Sequence, residues 1–430
     1  PNVLLLTSDG VNAENMSVYG YRRDTTPFLK ELAQTSLVAE NALTNAGKTY
    51  GSILSFYTGK NPVTTGTIFT PNILKGADSY QHLPGLLRSA GYRTVEITTP
   101  RYADAYSMNL LDGFDEVNGQ SMSSAAPIGP ISSYLPYPLA YFLYETSARI
   151  TARLGHIFYL KTMENPYTLV TGANQNLNDT GRLQSLIQAI DTSEQPLFAH
   201  VHLMGTHGPK FSFREAVFSS GGSNFVAWDT DLYDDSILDF DRRMHELVNF
   251  LTQDGSLDDT LIIVASDHGA QWATDKRLPL IIHFPNGEHA GRIQASVQMI
   301  DIAPTILDSA GMEIPGWMEG ESLLQMDGSP RPIFSVESVD GVITEQGWSL
   351  EDEILQPPFY QFSAVRLSYC QRWYRLSLFS LQLTQGDLSG YVSPCQEEAL
   401  PTPRQALTLM AAFFEARGFD ASSIRILAGE

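Results

Sequence analysis

Cysteine is nearly absent from this chain. Its two copies, Cys370 and Cys395, offer no CxxC spacing and so no thiolate-rich zinc site. Both lie in the last quarter, in a strand-rich tail, so a disulfide and an oxidising compartment are expected, with two unrelated buried thiols as the other reading. Basic residues are also scarce. The 27 Lys and Arg face 48 Asp and Glu, a formal net charge of -21. That argues against a nucleic-acid partner, because a phosphate backbone is bound by basic surface, but a small phosphate-bearing substrate needs only a few cations or a metal. Long apolar runs are missing too: none reaches the roughly 18 to 20 residues that cross a bilayer, and no signal peptide is visible. The chain opens without methionine in Pro1-Asn2-Val3-Leu4-Leu5-Leu6-Thr7, already a buried strand in appearance. An upstream targeting or membrane segment is therefore expected beyond the sequence given.

What is present is ample core material. At 430 residues, 43% hydrophobic and 17% charged, the chain suffices for one large α/β domain with a smaller appendage. Val3 to Leu6 is a continuous apolar run ending in Ser8-Asp9-Gly10, the pattern of a buried parallel strand that delivers a carboxylate at its C-terminal edge. Thr26-Pro27 opens a helix through Ala33, Leu83 to Ala90 reads as another, and Arg93 to Thr98 as a strand. Pro196 to Leu203 forms a strand that delivers Gly205-Thr206-His207-Gly208-Pro209. An amphipathic helix is expected from Asp234 to Leu251, strands over 261–266 and 280–284, and a helix from Asp301 to Ala310. The alternation predicts a mostly parallel central sheet with helices on both faces. Residues 113–194, where the pattern weakens, read as an insertion or lid; its aromatic-rich stretch Tyr134 to Lys161 is taken as a lid helix in preference to an interfacial one. Short strands over 361–367 and 374–383 and a helix over 403–417 make residues 329–430 a small C-terminal α+β subdomain.

The stretch Asn45 to Lys60 runs from a loop into a helix with Thr49 at the junction. Gly47 and Gly51 permit close backbone approach, and Ile53, Leu54, Phe56 and Tyr57 bury one side. Alone, such a hydroxyl is an ordinary N-cap. It gains meaning beside Asp9 and Asp267-His268, which reach the same sheet edge. Two carboxylates, an imidazole and a hydroxyl suit a divalent metal, zinc before manganese because of the imidazole.

These segments resemble the sulfatase-like branch of the alkaline phosphatase superfamily, especially its phosphoethanolamine and phosphoglycerol transferases. The likeness is carried by Asn2 to Asp9, Tyr19-Gly20-Tyr21 with Thr25-Thr26-Pro27, Thr49 to Gly59, Gly205 to Pro209, Tyr233 to Asp241, Ser266 to Gly269, Arg277 to Leu280, and Asp301 through Gly311, in the family's order. It implies an alkaline-phosphatase-like fold over residues 1–328. It also implies that Asp9, Thr49, Asp267 and His268 bind one divalent metal, that Thr49 is the nucleophile, and that His207 faces the leaving or entering group. Thr49 stands where sulfatases carry a cysteine or serine that becomes formylglycine, a conversion threonine does not undergo. The paired acids that follow the first strand in sulfatases are reduced to Asp9-Gly10, so a calcium site of that type lacks a ligand. Nine residues separate His268 from Leu278, too few for a further histidine ligand there, and Lys48, Lys60, Lys276 or Arg277 is expected to supply positive charge, Lys48 first.

The expected activity is a metal-dependent phosphotransferase or phosphodiesterase acting on a phosphodiester such as a phospholipid headgroup, with an envelope glycan or lipid as acceptor. It would work on the periplasmic or extracellular face of a membrane. The alternatives are a sulfatase-like hydrolase of sulfuric or phosphoric esters and a non-catalytic relative that binds envelope glycan or lipid.

Overall fold

The computed structural model describes residues 1–70, 72–100, 102–121, 178–220, 226–338, 342–344, 347–349 and 357–430, with isolated positions between 136 and 154. A nine-stranded sheet runs through the centre. Its strands are β1 (Asn2–Ser8), β2 (Leu37–Leu43), β3 (Arg93–Ile97), β4 (Glu116–Val117), β5 (Gln120–Ser121), β6 (Leu197–Leu203), β7 (Thr260–Ser266), β8 (Leu280–His283) and β9 (Gly291–Gln298). They lie in the order β5-β4-β3-β6-β1-β7-β8-β2-β9. Only β5 and β8 run against their neighbours, so the mostly parallel sheet that the sequence pattern predicts is present.

The apolar run of β1 is shared between two cores. Val3 and Leu5 pack on one face with Ile53, Leu83, Leu87 and Ile306, whereas Leu4 and Leu6 pack on the other with Leu29, Leu183, Leu247 and Leu251. The first set comes from helices α2 (Thr49–Thr58), α3 (Leu83–Ser89) and α6 (Ile302–Ser309), the second from α1 (Pro27–Leu32), α4 (Asp179–Asp191) and α5 (Thr230–Asp254). Period-two alternation along a strand sends successive side chains to opposite faces, so both faces are covered.

Three local expectations are revised, and one strand, β9, was not expected at all. Helix α5 begins at Thr230 because Asp229 accepts hydrogen bonds from the N–H groups of Asp231 and Leu232, a cap upstream of the apolar periodicity. Strand β9 carries few apolar residues because it is an edge strand, half exposed, and leaves no alternation to read. Helix α4 sits at the end of the stretch taken as an insertion. The expected strand over 374–383 is two, Arg372–Ser377 and Leu383–Asp387, joined by a turn. The lid helix over Tyr134 to Lys161 lies outside the described residues apart from isolated positions.

The tail forms a second, antiparallel sheet from β10 (Ile333–Ser338), β13 (Phe362–Tyr369), β14 (Arg372–Ser377) and β15 (Leu383–Asp387), with a small ladder of β11 (Val342–Thr344) and β12 (Gly347–Ser349) between β10 and β13 in the chain. Helix α7 (Pro403–Glu415) lies on it, Phe413 stacked on Phe334 at 4.1 Å, followed by α8 (Ser422–Leu427). This sheet braces the loop ahead of α2: Gly47 N–H donates to Val336 O and Val336 N–H to Asn45 O, each at 3.0 Å. Cys370 and Cys395 are joined by a disulfide, which resolves the two cysteine readings.

Two stability predictions arise. The disulfide closes a separation of 25 residues, which corresponds to about 3 kcal/mol of unfolded-state entropy; the double variant Cys370→Ser, Cys395→Ser should lose stability of that order in urea unfolding. Asp241 on α5 caps α1 from outside, accepting the N–H groups of Phe28 and Leu29 at 3.0 and 2.8 Å. Burial raises its carboxyl to about 7, with Asp24 adding and the two N–H groups opposing. The native state therefore keeps a proton that the unfolded chain releases near pH 4, and stability falls as pH rises from about 4 to 7, by at most about 1.4 kcal/mol per pH unit. Asp241→Asn should flatten that slope relative to the parent, measured by urea unfolding at several pH values.

Candidate active site and metal centre

The site lies where β6, β1 and β7 end. Their parallel register sets Ser8 opposite Leu203 on one side and Ser266 on the other. The next residues, Asp9 and Asp267, therefore emerge side by side. Gly10 turns the chain with φ of +64°, a conformation that disfavours a second acidic residue there, and its N–H donates to Asp267 Oδ1 at 3.0 Å. The same oxygen accepts the His268 N–H at 2.8 Å. The Ser266 hydroxyl lies within hydrogen-bond reach of both Ser8 O and His268 O, which share its one proton, and Tyr233 Oη donates to Gly10 O at 2.7 Å. The two loops are thus stitched together by buried hydrogen bonds.

Thr49 is the first residue of α2, a helix buried along all ten residues. The N-cap position belongs to Lys48, which makes no side-chain cap, so the ordinary-cap reading of Thr49 does not hold. Its hydroxyl instead donates to Asp9 Oδ2 at 3.1 Å and lies 3.3 Å from His268 Nε2. A Cβ on Gly47 would come within 3.0 Å of Trp272 O, and one on Gly51 within 3.0 Å of Ala46 Cβ and Ile68 O. Both glycines permit close backbone packing around the start of α2, Gly47 against the loop at Trp272 and Gly51 against Ala46 and Ile68.

His202, on β6, was not singled out by sequence reasoning. Its Nε2 lies 3.7 Å from Asp9 Oδ2 and 3.9 Å from Asp267 Oδ2, beyond hydrogen-bond reach. Among the described residues, Asp9, His202 and Asp267 bring one ligand atom each to within 4.8 Å of one another, all three buried. The alternation His200-Val201-His202 was the available signal: a buried strand with two imidazoles facing one way needs a reason for them.

Electrostatics favour ionised carboxylate here. Burial opposes charge on Asp9, yet the surrounding positive charge, that of His207 foremost, outweighs it and holds the carboxyl well below the usual range. His268 places its Nδ1 3.0 Å from Gly269 O, which fixes that nitrogen as the donor and leaves Nε2 facing Thr49. His207 lines the same cleft as Asp9, His268, Trp228 and Trp272. Its loop is anchored by a residue the sequence did not flag, Asp179, whose carboxylate accepts the N–H groups of Met204 and Gly205 at 3.0 and 2.7 Å.

The four candidate cations separate. Lys48 Nζ stands over the ring of Trp272, a residue that lines the cleft, at 4.9 Å. Lys60 is paired with Asp78 and Gln81, both at hydrogen-bond distance, and Arg277 donates to Glu40 O and Ser389 O, so both are structural. Lys276 is tied to Glu14 at 2.6 Å.

Residues 1–312 match the sulfatase family model. The chain belongs to the sulfatase family. It is 23% identical over 402 residues to an N-acetylglucosamine-6-O-sulfatase of Bacteroides thetaiotaomicron, covering 75% of this chain and 70% of that protein. It is 25% identical over 377 residues to the N-acetylgalactosamine-6-sulfatase of Sus scrofa, covering 78% and 68%. A phosphonate monoester hydrolase from Silicibacter pomeroyi superposes with a TM-score of 0.64 at 18% identity over 97% of this chain and 95% of that one, a likeness of fold alone. Both sequence relatives are named sulfatases, so membership stands at the level of the sulfatase family and the alkaline-phosphatase-like fold, without the narrower kinship to transferases.

Sulfatase-family members use a divalent metal, and the donor set fits one. His202 Nε2 and Asp267 Oδ2 are buried with no hydrogen-bond partner, a costly state unless a ligand completes it. Asp267→Asn keeps the oxygen that accepts Gly10 and His268 N–H but replaces the bare one with an amide. The expected outcome is loss of stoichiometric zinc or manganese in elemental analysis, with the metal-free melting temperature unchanged or raised.

Proposed function

We propose that this sulfatase-family chain is a metal-dependent hydrolase of anionic tetrahedral esters, sulfuric or phosphoric, with Thr49 as nucleophile. The observation that carries the reading is the Thr49 hydroxyl at a buried helix start, within hydrogen-bond reach of Asp9 and beside His268. The start of a helix adds N–H groups and positive potential suited to an oxyanion. The sulfatase names of the relatives support ester hydrolysis as the reaction class.

Asp9, His202 and Asp267, with Thr49 and His268 adjoining, would hold the cation. When bound, it supplies charge neutralisation at the ester oxygens and lowers the pKa of a hydroxyl beside it. Asp9 accepts the Thr49 proton in a hydrogen bond and so turns an oxygen lone pair toward the cleft. Thr49 Oγ forms the new bond to sulfur or phosphorus as the bond to the leaving oxygen breaks; its proton passes to His268 Nε2, 3.3 Å away, and His207 delivers a proton to the leaving oxygen. Water then cleaves the threonine ester, giving one proton to His207 while the proton held by His268 returns to Thr49 Oγ. Lys48, with Trp228 and Trp272 of the cleft lining, would meet the remainder of the substrate. Two imidazoles favour zinc over manganese.

One observation favours a second reading. Threonine cannot become formylglycine, so direct attack on phosphorus suits it better than sulfate chemistry, and transfer from a phosphodiester such as a phospholipid headgroup to an envelope glycan or lipid is the variant of this reaction. The disulfide supports a site of action outside the reducing cytoplasm. Among the described residues no helix is long and apolar enough to cross a membrane.

Turnover of p-nitrophenyl sulfate, p-nitrophenyl phosphate and bis-p-nitrophenyl phosphate tests both. Thr49→Ala should lower kcat by about 10³-fold or more on whichever ester the parent cleaves; full activity in that variant would end the nucleophile assignment. Preference for the diester, with product appearing on an added glycan hydroxyl, would favour transfer.

A further inference from the structure

Beneath the site a continuous run of polar groups crosses the apolar core. Starting from His202, Nδ1 lies 2.8 Å from Thr7 Oγ; Thr7 Oγ lies 2.9 Å from His200 Nε2; His200 Nδ1 lies 2.5 Å from Tyr57 Oη. Tyr57 Oη donates to Glu96 Oε1 at 2.8 Å, and Glu96 Oε2 accepts the Ala105 N–H at 2.7 Å. His202, Thr7, His200, Tyr57 and Glu96 are all fully buried. A glutamate, two histidines, a tyrosine and a threonine placed inside a core of Phe, Leu and Val are costly unless each bond is made.

Counting protons gives the run a direction. Glu96 as a carboxylate only accepts, so Tyr57 must donate to it, and the Tyr57 oxygen then accepts from His200 Nδ1–H. A neutral His200 has no proton left for Nε2, which accepts from the Thr7 hydroxyl. The Val201 carbonyl, at 3.4 Å, is the more distant acceptor for that hydroxyl. Thr7 Oγ accepts in turn from His202 Nδ1–H. Every bond is satisfied in this one sense.

We propose that Glu96, as a carboxylate, is a positioning residue for His202: through Tyr57, His200 and Thr7 it holds the His202 proton on Nδ1 and turns the bare Nε2 toward Asp9 and Asp267. Metal-ligating histidines are commonly oriented by such an outer partner; here that partner stands three side chains away, on β3. The register of β3 against β6, with Glu96 opposite His200, places it. The inference rests on the metal reading only in what the bare nitrogen is for.

The test uses the metal-free full chain with ¹⁵N-labelled histidine at pH 9. Burial, with Asp104 adding and the Ala105 N–H and Tyr57 hydroxyl opposing, raises Glu96 to about 8, so it is ionised there. Long-range ¹H–¹⁵N correlation, with His202 assigned by its loss in His202→Gln, should show the proton on Nδ1 in the parent. In Glu96→Gln the side-chain carbonyl takes the Ala105 N–H, the amide donates to Tyr57 Oη, and the run reverses: the His202 proton should move to Nε2. Tyr57→Phe keeps the ring but cuts the run, and should give mixed tautomers and Zn²⁺ affinity about 10-fold weaker. Tyr50→Phe, on the same helix as Tyr57, which loses the part-buried contacts of its hydroxyl with Asn72 O and Ser107 O, should lower the melting temperature without moving the tautomer. A parent protonated at Nε2, or an unchanged His202 in both Glu96→Gln and Tyr57→Phe, overturns the proposal. A parent with the expected tautomer that takes up no Zn²⁺ upholds it and removes the metal reading instead.

Discussion

The parallel pairing of β1 with β6 and β7 is the constraint from which the rest follows. Ser8 level with Ser266 and Leu203 brings three chain ends out together, and side chains one or two residues further on are committed to one small volume. A slip of one residue in either ladder would send Asp9 or His202 to the opposite face. The register is itself enforced by burial of the apolar runs on both faces, which makes any slip expensive.

Charge in this volume is organised by scarcity of solvent. Asp9, Asp267 and His202 are buried together, and the hydrogen bonds that might have quenched them are directed elsewhere: Asp267 spends one oxygen on two backbone N–H groups, and His202 spends Nδ1 on Thr7. The remaining atoms face one another at distances too long to bond. Unpartnered buried atoms cost folding stability locally, a cost that the large two-sided core can carry.

The C-terminal sheet contributes by bracing. Backbone bonds from Val336 hold the loop at Asn45 and Gly47, and Phe334 with Phe413 backs that contact. Thr49 is thereby positioned between two rigid bodies of backbone, the sheet edge and the tail. Residues outside the family match thus bear on the placement of Thr49, the proposed nucleophile.

The sequence by itself determined the sheet class, the strands that end in Asp9 and Asp267, and the close packing around the start of α2 through Gly47 and Gly51, because hydrophobic period and glycine placement are local properties. It also carried Thr49, His207 and His268, since their motifs are contiguous. It was blind to β9, whose edge position removes the alternation, and to the early start of α5 at Thr230, capped by Asp229. His202, Asp179 and Glu96 were decided only by tertiary structure. Their roles depend on which atoms stand opposite them across strands, and on which nitrogen or oxygen is left without a partner, and neither is written in the spacing of residues along one chain.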